Sequence, residues 1–140
     1  MTKRRDVLKL AGFGAAGLHA FGMLAAPSRL PDATLAAGEA KTTMEEFGEL
    51  KIYFDGPTEQ LKSMTAGSLR LKAGMSPHPP HEHPEEEFMV ITEGQGEISV
   101  DGKITKVGPG SMMYCGANRL HGIVNTSKKP LLFYFYKWKA

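Results

Sequence analysis

The chain has a single cysteine, Cys115, in 140 residues. A lone cysteine cannot close an intrachain disulfide, so even in an oxidising compartment stability has to come from a packed core. A surplus of one charge is also missing. The formal net charge is +2 at pH 7, and no basic stripe with interleaved aromatics follows the N-terminal region, which excludes a nucleic-acid surface. After residue 50 no stretch repeats its apolar residues with helical spacing. What remains, 41% apolar and 23% charged residues, is the composition of one ordinary globular domain.

Positive charge is gathered at the start, where Lys3, Arg4, Arg5, Lys9 and Arg29 face only Asp6. An Ala/Gly-rich apolar run from Leu10 to Ala26 follows, ending in small residues, and this is the layout of an export signal. The run is short and glycine-rich for a membrane span of about twenty residues. A cleaved signal is therefore expected, leaving no stable span. The segment "TKRRDVLK" resembles the twin-arginine export motif, with Arg4 and Arg5 as the pair; aspartate and valine follow where that pattern prefers phenylalanine before the leucine. The resemblance implies a periplasmic or secreted protein that travels already folded, often with its cofactor loaded. Cleavage points follow Ala26 or Ala36. The later one divides the chain into a signal and linker, residues 1–36, and a folded domain, residues 37–140. It removes five of the 17 basic and two of the 15 acidic residues, turning +2 into −1.

Past the signal, short β-branched or aromatic runs recur: "ELKIYF" (49–54), "GSLRLKAG" (67–74), "FMVITEG" (88–94), "GEISV" (96–100), "KITKV" (103–107), "SMMYC" (111–115), "LHGIVN" (120–125) and "PLLFYFYKW" (130–138). Asp101-Gly102 supplies the positive φ of a type I′ hairpin turn. Gly108-Pro109-Gly110 and Asp55-Gly56-Pro57 mark two more turns. Evenly spaced strands with turns throughout predict an all-β domain, a sandwich or small antiparallel β-barrel.

Within this pattern "HEHPEEEFMVITEG" (81–94) stands out. On an extended backbone His81, His83 and Glu87 share a face, which Met89 and Ile91 continue toward the core. Pro84 bends that backbone locally. A polar trio on a core-going face is costly unless compensated, and a divalent metal compensates it. His121, Ile123 and Asn125 have one parity too, so a fourth donor can come from a facing strand.

These two segments resemble the two motifs of the cupin superfamily. The first motif is carried by Gly74, His81, His83, Glu87 and Gly94, with six rather than five residues after Gly74; the second by Gly110, Gly116, Asn118, His121 and Asn125. Gly116 stands where the family has proline and Asn118 where it has glycine, and both suit a turn. The resemblance spans roughly residues 65–126. It implies a jelly-roll barrel, the double-stranded β-helix, with a divalent metal on His81, His83, Glu87 and His121. Three imidazoles and a carboxylate suit Fe, Mn, Ni, Zn or Cu, with positions open to water, oxygen or substrate.

The other candidates have plainer readings. His78 lies in a proline-rich loop, as a solvent-exposed or rim group, and Glu85 and Glu86 face solvent unless the register slips by one. Cys115 reads as a buried, inert thiol. Tyr114, Tyr134 and Tyr136 are candidate substrate contacts. The C-terminal strand has two faces, Leu131, Phe133, Phe135 and Lys137 against Leu132, Tyr134, Tyr136 and Trp138; one is core, and the other can cover a second copy in a homodimer, as in small cupins. Two functions follow from the resemblance: a metal-dependent enzyme (dioxygenase, isomerase or lyase) acting on a small oxygenated compound, or a non-catalytic module that binds a small molecule or metal.

Export gives the first test. Changing Arg4 and Arg5 together to lysine should hold precursor in the cytoplasm, measured by fractionation and immunoblotting, because a general secretory signal reads only positive charge. Normal export of the double variant contradicts the twin-arginine assignment.

Overall fold

The computed structural model describes Ala25 and residues 28–140; the twin-arginine segment and nearly all of the apolar run lie outside the described residues. Nine strands follow one another: β1 (Lys41–Glu45), β2 (Gly48–Gly56), β3 (Ser63–Leu71), β4 (Glu86–Glu93), β5 (Gly96–Val100), β6 (Lys103–Val107), β7 (Met112–Cys115), β8 (His121–Val124) and β9 (Leu131–Lys139). No helix occurs among the described residues. All pairings are antiparallel, in a six-stranded sheet ordered β1-β2-β3-β9-β4-β7 and a three-stranded sheet ordered β6-β5-β8. This is the expected all-β jelly roll.

Eight strands fall on the runs expected from the sequence, with shifted ends. β3 begins at Ser63 rather than Gly67, because Met64, Thr65 and Ala66 pair with Trp138, Lys137 and Tyr136 of β9. β1 carries no sequence signal. All five of its residues are exposed, so no apolar alternation marks it, and pairing with β2 from Lys41↔Ile52 to Glu45↔Gly48 makes it a strand. The Asp101-Gly102 turn has φ of +48° and +82°, the positive pair that a type I′ hairpin needs.

The core lies between the inner faces of the two sheets. Leu69, Leu71, Met89, Ile91, Leu131 and Phe133 come from the larger sheet, and Ile98 and Ile123 from the smaller. In β4 the alternation is strict from Glu86 to Ile91, with Glu87, Met89 and Ile91 buried and Glu86, Phe88 and Val90 half-buried. Each such aliphatic side chain contributes roughly 1.5–3 kcal/mol on burial. Without disulfides, this packing is what closes the barrel. On the outer face Met112, Tyr114 and Tyr136 are 66%, 58% and 43% exposed.

Asn125 serves as a structural clamp. It is fully buried, and its Nδ2 donates to the carbonyls of Leu71 (3.3 Å), Lys72 (3.1 Å) and Lys129 (2.7 Å), while Oδ1 accepts from the Ser127 amide and hydroxyl. The end of β3 and the β8–β9 loop are thereby tied together. Asn125→Ala leaves several buried groups without partners and should cost about 2–3 kcal/mol, or roughly 10 °C in Tm for a domain of this size. Calorimetry checks this; a fall below about 2 °C contradicts the clamp.

Candidate metal centre

His81 and His83 lie before β4, Glu87 is the second residue of β4, and His121 opens β8. The strand does not run unbroken from His81 to Glu87, since the backbone bends at Pro84 and Glu85. Backbone pairing restores the convergence. The His81 amide donates to the His121 carbonyl (2.9 Å) and the His121 amide to the His81 carbonyl (3.0 Å), while the Asn118 amide donates to the His83 carbonyl (2.8 Å). Asn118 reaches that position with φ of +57°, a left-handed conformation asparagine tolerates better than most residues. Both histidine-bearing segments are therefore fixed to each other before any side chain is considered.

Ligand atoms of His81, His83 and His121 lie within 4.8 Å of one another, a grouping that can hold a metal ion. Glu87 lies beside these histidines. Its Oε2 is 2.8 Å from Nε2 of His83 and 2.8 Å from Nε2 of His121. The other ring nitrogens are engaged: Nδ1 of His83 is 3.0 Å from the Glu85 carbonyl and Nδ1 of His121 is 2.8 Å from the Arg119 carbonyl. A carbonyl only accepts, so each Nδ1 carries a hydrogen. In the neutral imidazole Nε2 is then a bare lone pair aimed at a carboxylate oxygen that also only accepts. Such a meeting is stable only with a proton or cation between the atoms. Outer hydrogen bonds that fix the tautomer in this way are the usual support of histidine metal ligands, and the donor set fits a divalent ion.

The protonation equilibria carry the same tension. Burial, then His78, His121 and His83, lowers the His81 pKa from 6.5 to about 4. Burial works to raise the Glu87 pKa, but hydrogen bonds to His121 and His83 outweigh it and leave the carboxyl below its ordinary value. The Glu87 hydrogen bond outweighs burial at His121 and leaves that imidazole above its ordinary value.

A cavity of about 190 Å³ opens onto the cluster, lined by His81, His83, Glu87 and His121 together with Leu69, Met89, Phe133 and Phe135. This is below the roughly 300–1,000 Å³ of sites for drug-sized ligands, so a small molecule is the fitting guest. Met89 and Ile123 belong to its wall; Met113 is buried in the core instead.

The remaining candidates separate cleanly. His78 is exposed at the cavity rim, its ring centroid 3.8 Å from that of His81. Glu86 faces outward, accepting from the Tyr114 hydroxyl (2.6 Å) and Trp138 Nε1 (2.9 Å), so the register keeps Glu87 inside. Tyr114, Tyr134 and Tyr136 do not line the cavity, and none is positioned as a substrate contact there. Cys115 is buried, with its pKa raised by burial first of all, and it is no part of the cavity wall. Sequence reasoning passed over Lys137, which lines the cavity. The signal was available, because Lys137 continues the parity of Leu131, Phe133 and Phe135.

Residues 67–136 match the Cupin_2 cupin-domain model, and the chain belongs to this family. Similar solved structures include KdgF from Halomonas sp., at 17% identity and a TM-score of 0.65 over 79% of this chain and 96% of that one. The polyketide cyclase RemF from Streptomyces resistomycificus has 17% identity and a TM-score of 0.64 over 77% and 80%. A predicted oxalate decarboxylase from Thermotoga maritima has 18% identity and a TM-score of 0.63 over 77% and 100%. No curated protein sequence matches.

For the metal-free protein the signs of the pH dependence differ by residue. His81 is held down, so its contribution to stability is present above 6.5 and lost as pH falls toward about 4. The Glu87 contribution is lost over the acid range below its ordinary 4.5. His121 is held up, so its contribution is complete below 6.5 and lost as pH rises through the elevated value. Tm of the metal-free protein should therefore peak at about pH 6–7 and decline on both sides. A Tm that climbs steadily from about pH 6.5 to 8.5 contradicts this arrangement.

Proposed function

We propose that this chain is an exported, metal-dependent cupin enzyme acting on a small oxygenated compound, with His81, His83, Glu87 and His121 holding one divalent ion of Fe, Mn, Ni, Zn or Cu. The observation that carries the proposal is the Glu87 oxygen shared by two imidazoles whose Nδ1 atoms are already committed. A bound divalent ion supplies Lewis-acid polarisation of an oxygen on the guest molecule. The protein supplies the rest. Backbone carbonyls orient His83 and His121, the His81–His121 backbone pair sets their separation, and the apolar wall keeps bulk water away from the ligand atoms, strengthening every charge interaction there. A polyketide cyclase is built on a similar barrel, so the architecture is compatible with catalysis.

Export is part of the proposal, and it favours the earlier cleavage point. The Leu30 amide donates to the Pro57 carbonyl (2.8 Å), and the Leu30 side chain lies against Gly56. Cleavage after Ala26 keeps this contact; cleavage after Ala36 removes it.

Metal analysis of purified variants tests the ligand set. His83→Ala and His121→Ala should reduce metal content to near zero and lower Tm, because the remaining ligands are left as buried polar groups short of a partner. His78→Ala should retain the metal, since that ring is exposed at the cavity rim and the metal-holding group is formed by His81, His83 and His121 without it. Equal loss of metal from His78→Ala and His121→Ala would overturn the assignment.

A further inference from the structure

Lys137 occupies a position that a core-facing strand ordinarily gives to an apolar residue. Leu131 and Phe133 are buried and Phe135 packs against the core cluster; Lys137, next on that face of β9, lines the same cavity as the three histidines. Its cross-strand neighbours are Glu87 on β4 and Thr65 on β3. Proximity to Glu87 does not neutralise it. Among the described residues no carboxylate lies within 4.0 Å of its ammonium and its side chain makes no hydrogen bond; what sets it apart from the other lysines is its place in the cavity wall.

Lys137 is half-buried and shares the cavity wall with hydrophobic rings, and an ammonium with no counter-ion among the described residues is free to take a ligand of opposite charge. Glu87 is already shared between His83 and His121, and a divalent ion on that cluster would use its charge as well. The cavity then holds surplus positive charge. Its walls include Leu69, Met89, Phe133 and Phe135, which suit a carbon skeleton better than a fully hydrated inorganic anion.

We infer that Lys137 is the anion-recognition residue of this cavity and that the guest is a small organic carboxylate, its charge on the Lys137 ammonium and its remaining oxygen turned toward the histidine cluster. This rests on the proposed metal centre and narrows its substrate class. Removing the lysine removes a charge-assisted contact, worth about tenfold or more in affinity, without removing any metal ligand.

The test uses Co(II)-loaded protein, with binding read from the cobalt spectrum and cobalt content measured directly. Wild type, Lys137→Met and Lys137→Arg are titrated with pyruvate, with its uncharged methyl ester and with inorganic phosphate. Pyruvate should bind wild type and bind Lys137→Met about tenfold or more weakly, with Lys137→Arg recovering most of the loss. The ester should bind weakly and equally to all three, and phosphate more weakly than pyruvate. Unchanged pyruvate affinity in Lys137→Met, an equal loss for the ester, phosphate binding in preference to pyruvate, no pyruvate binding to wild type, or loss of cobalt from Lys137→Met each overturns the inference. Should wild type take up no cobalt, the metal centre fails; the lysine is then judged by whether pyruvate raises Tm of the metal-free protein and Lys137→Met abolishes the rise.

Discussion

Everything about this site turns on one carboxylate oxygen. Glu87 Oε2 lies 2.8 Å from two imidazole nitrogens, and backbone carbonyls already hold the hydrogens of both rings on the opposite nitrogen. Three acceptors facing one another at contact distance need positive charge among them. Protons can provide it partially, which is why His121 is pushed up and Glu87 down, but His81 is pushed the other way by burial and its three histidine neighbours. In the proposed metal centre a divalent cation would satisfy all four groups together, whereas protonation satisfies some and penalises another.

The rest of the barrel serves that arrangement. Strict alternation in β4 buries Glu87 with Met89 and Ile91, so the carboxylate is placed by the same packing that closes the core. β8 brings His121 across from the smaller sheet, and the mutual His81–His121 backbone hydrogen bonds fasten the proline-rich loop to it. Glycine is needed where chains crowd: at Gly94, with φ of +79°, an added Cβ would collide with the Pro130 carbonyl. Asn125, which shares the parity of His121 and Ile123, holds three carbonyls. Backbone hydrogen bonds thus hold the two histidine-bearing segments together.

Much of this was legible in the residues. Period-two alternation and turn dipeptides located most of the eight strands, and β6, exposed along nearly its whole length, was located by its β-branched residues and the Asp101-Gly102 turn before it. β1 was not legible, because a fully exposed edge strand owes its conformation to its neighbour and has no pattern of its own. The convergence of His81, His83, Glu87 and His121 followed from parity and from resemblance to the cupin motifs, and Pro84 did not prevent it because pairing with β8 corrects the bend. The tyrosines could not be assigned from parity alone until the inner face of β9 was known. Lys137 shows the opposite case, in which alternation placed a charge on the inner face and only the cavity revealed its consequence.

X-ray absorption spectroscopy of the metal-loaded protein tests the central claim most directly. A first shell at roughly 2.0–2.2 Å of light N/O donors, with outer-shell scattering from three imidazoles and one or two further oxygens from solvent, is the expected result. A sulfur shell at about 2.3 Å, which only Cys115 or a methionine can supply, or imidazole scattering from fewer than two rings, would contradict the account.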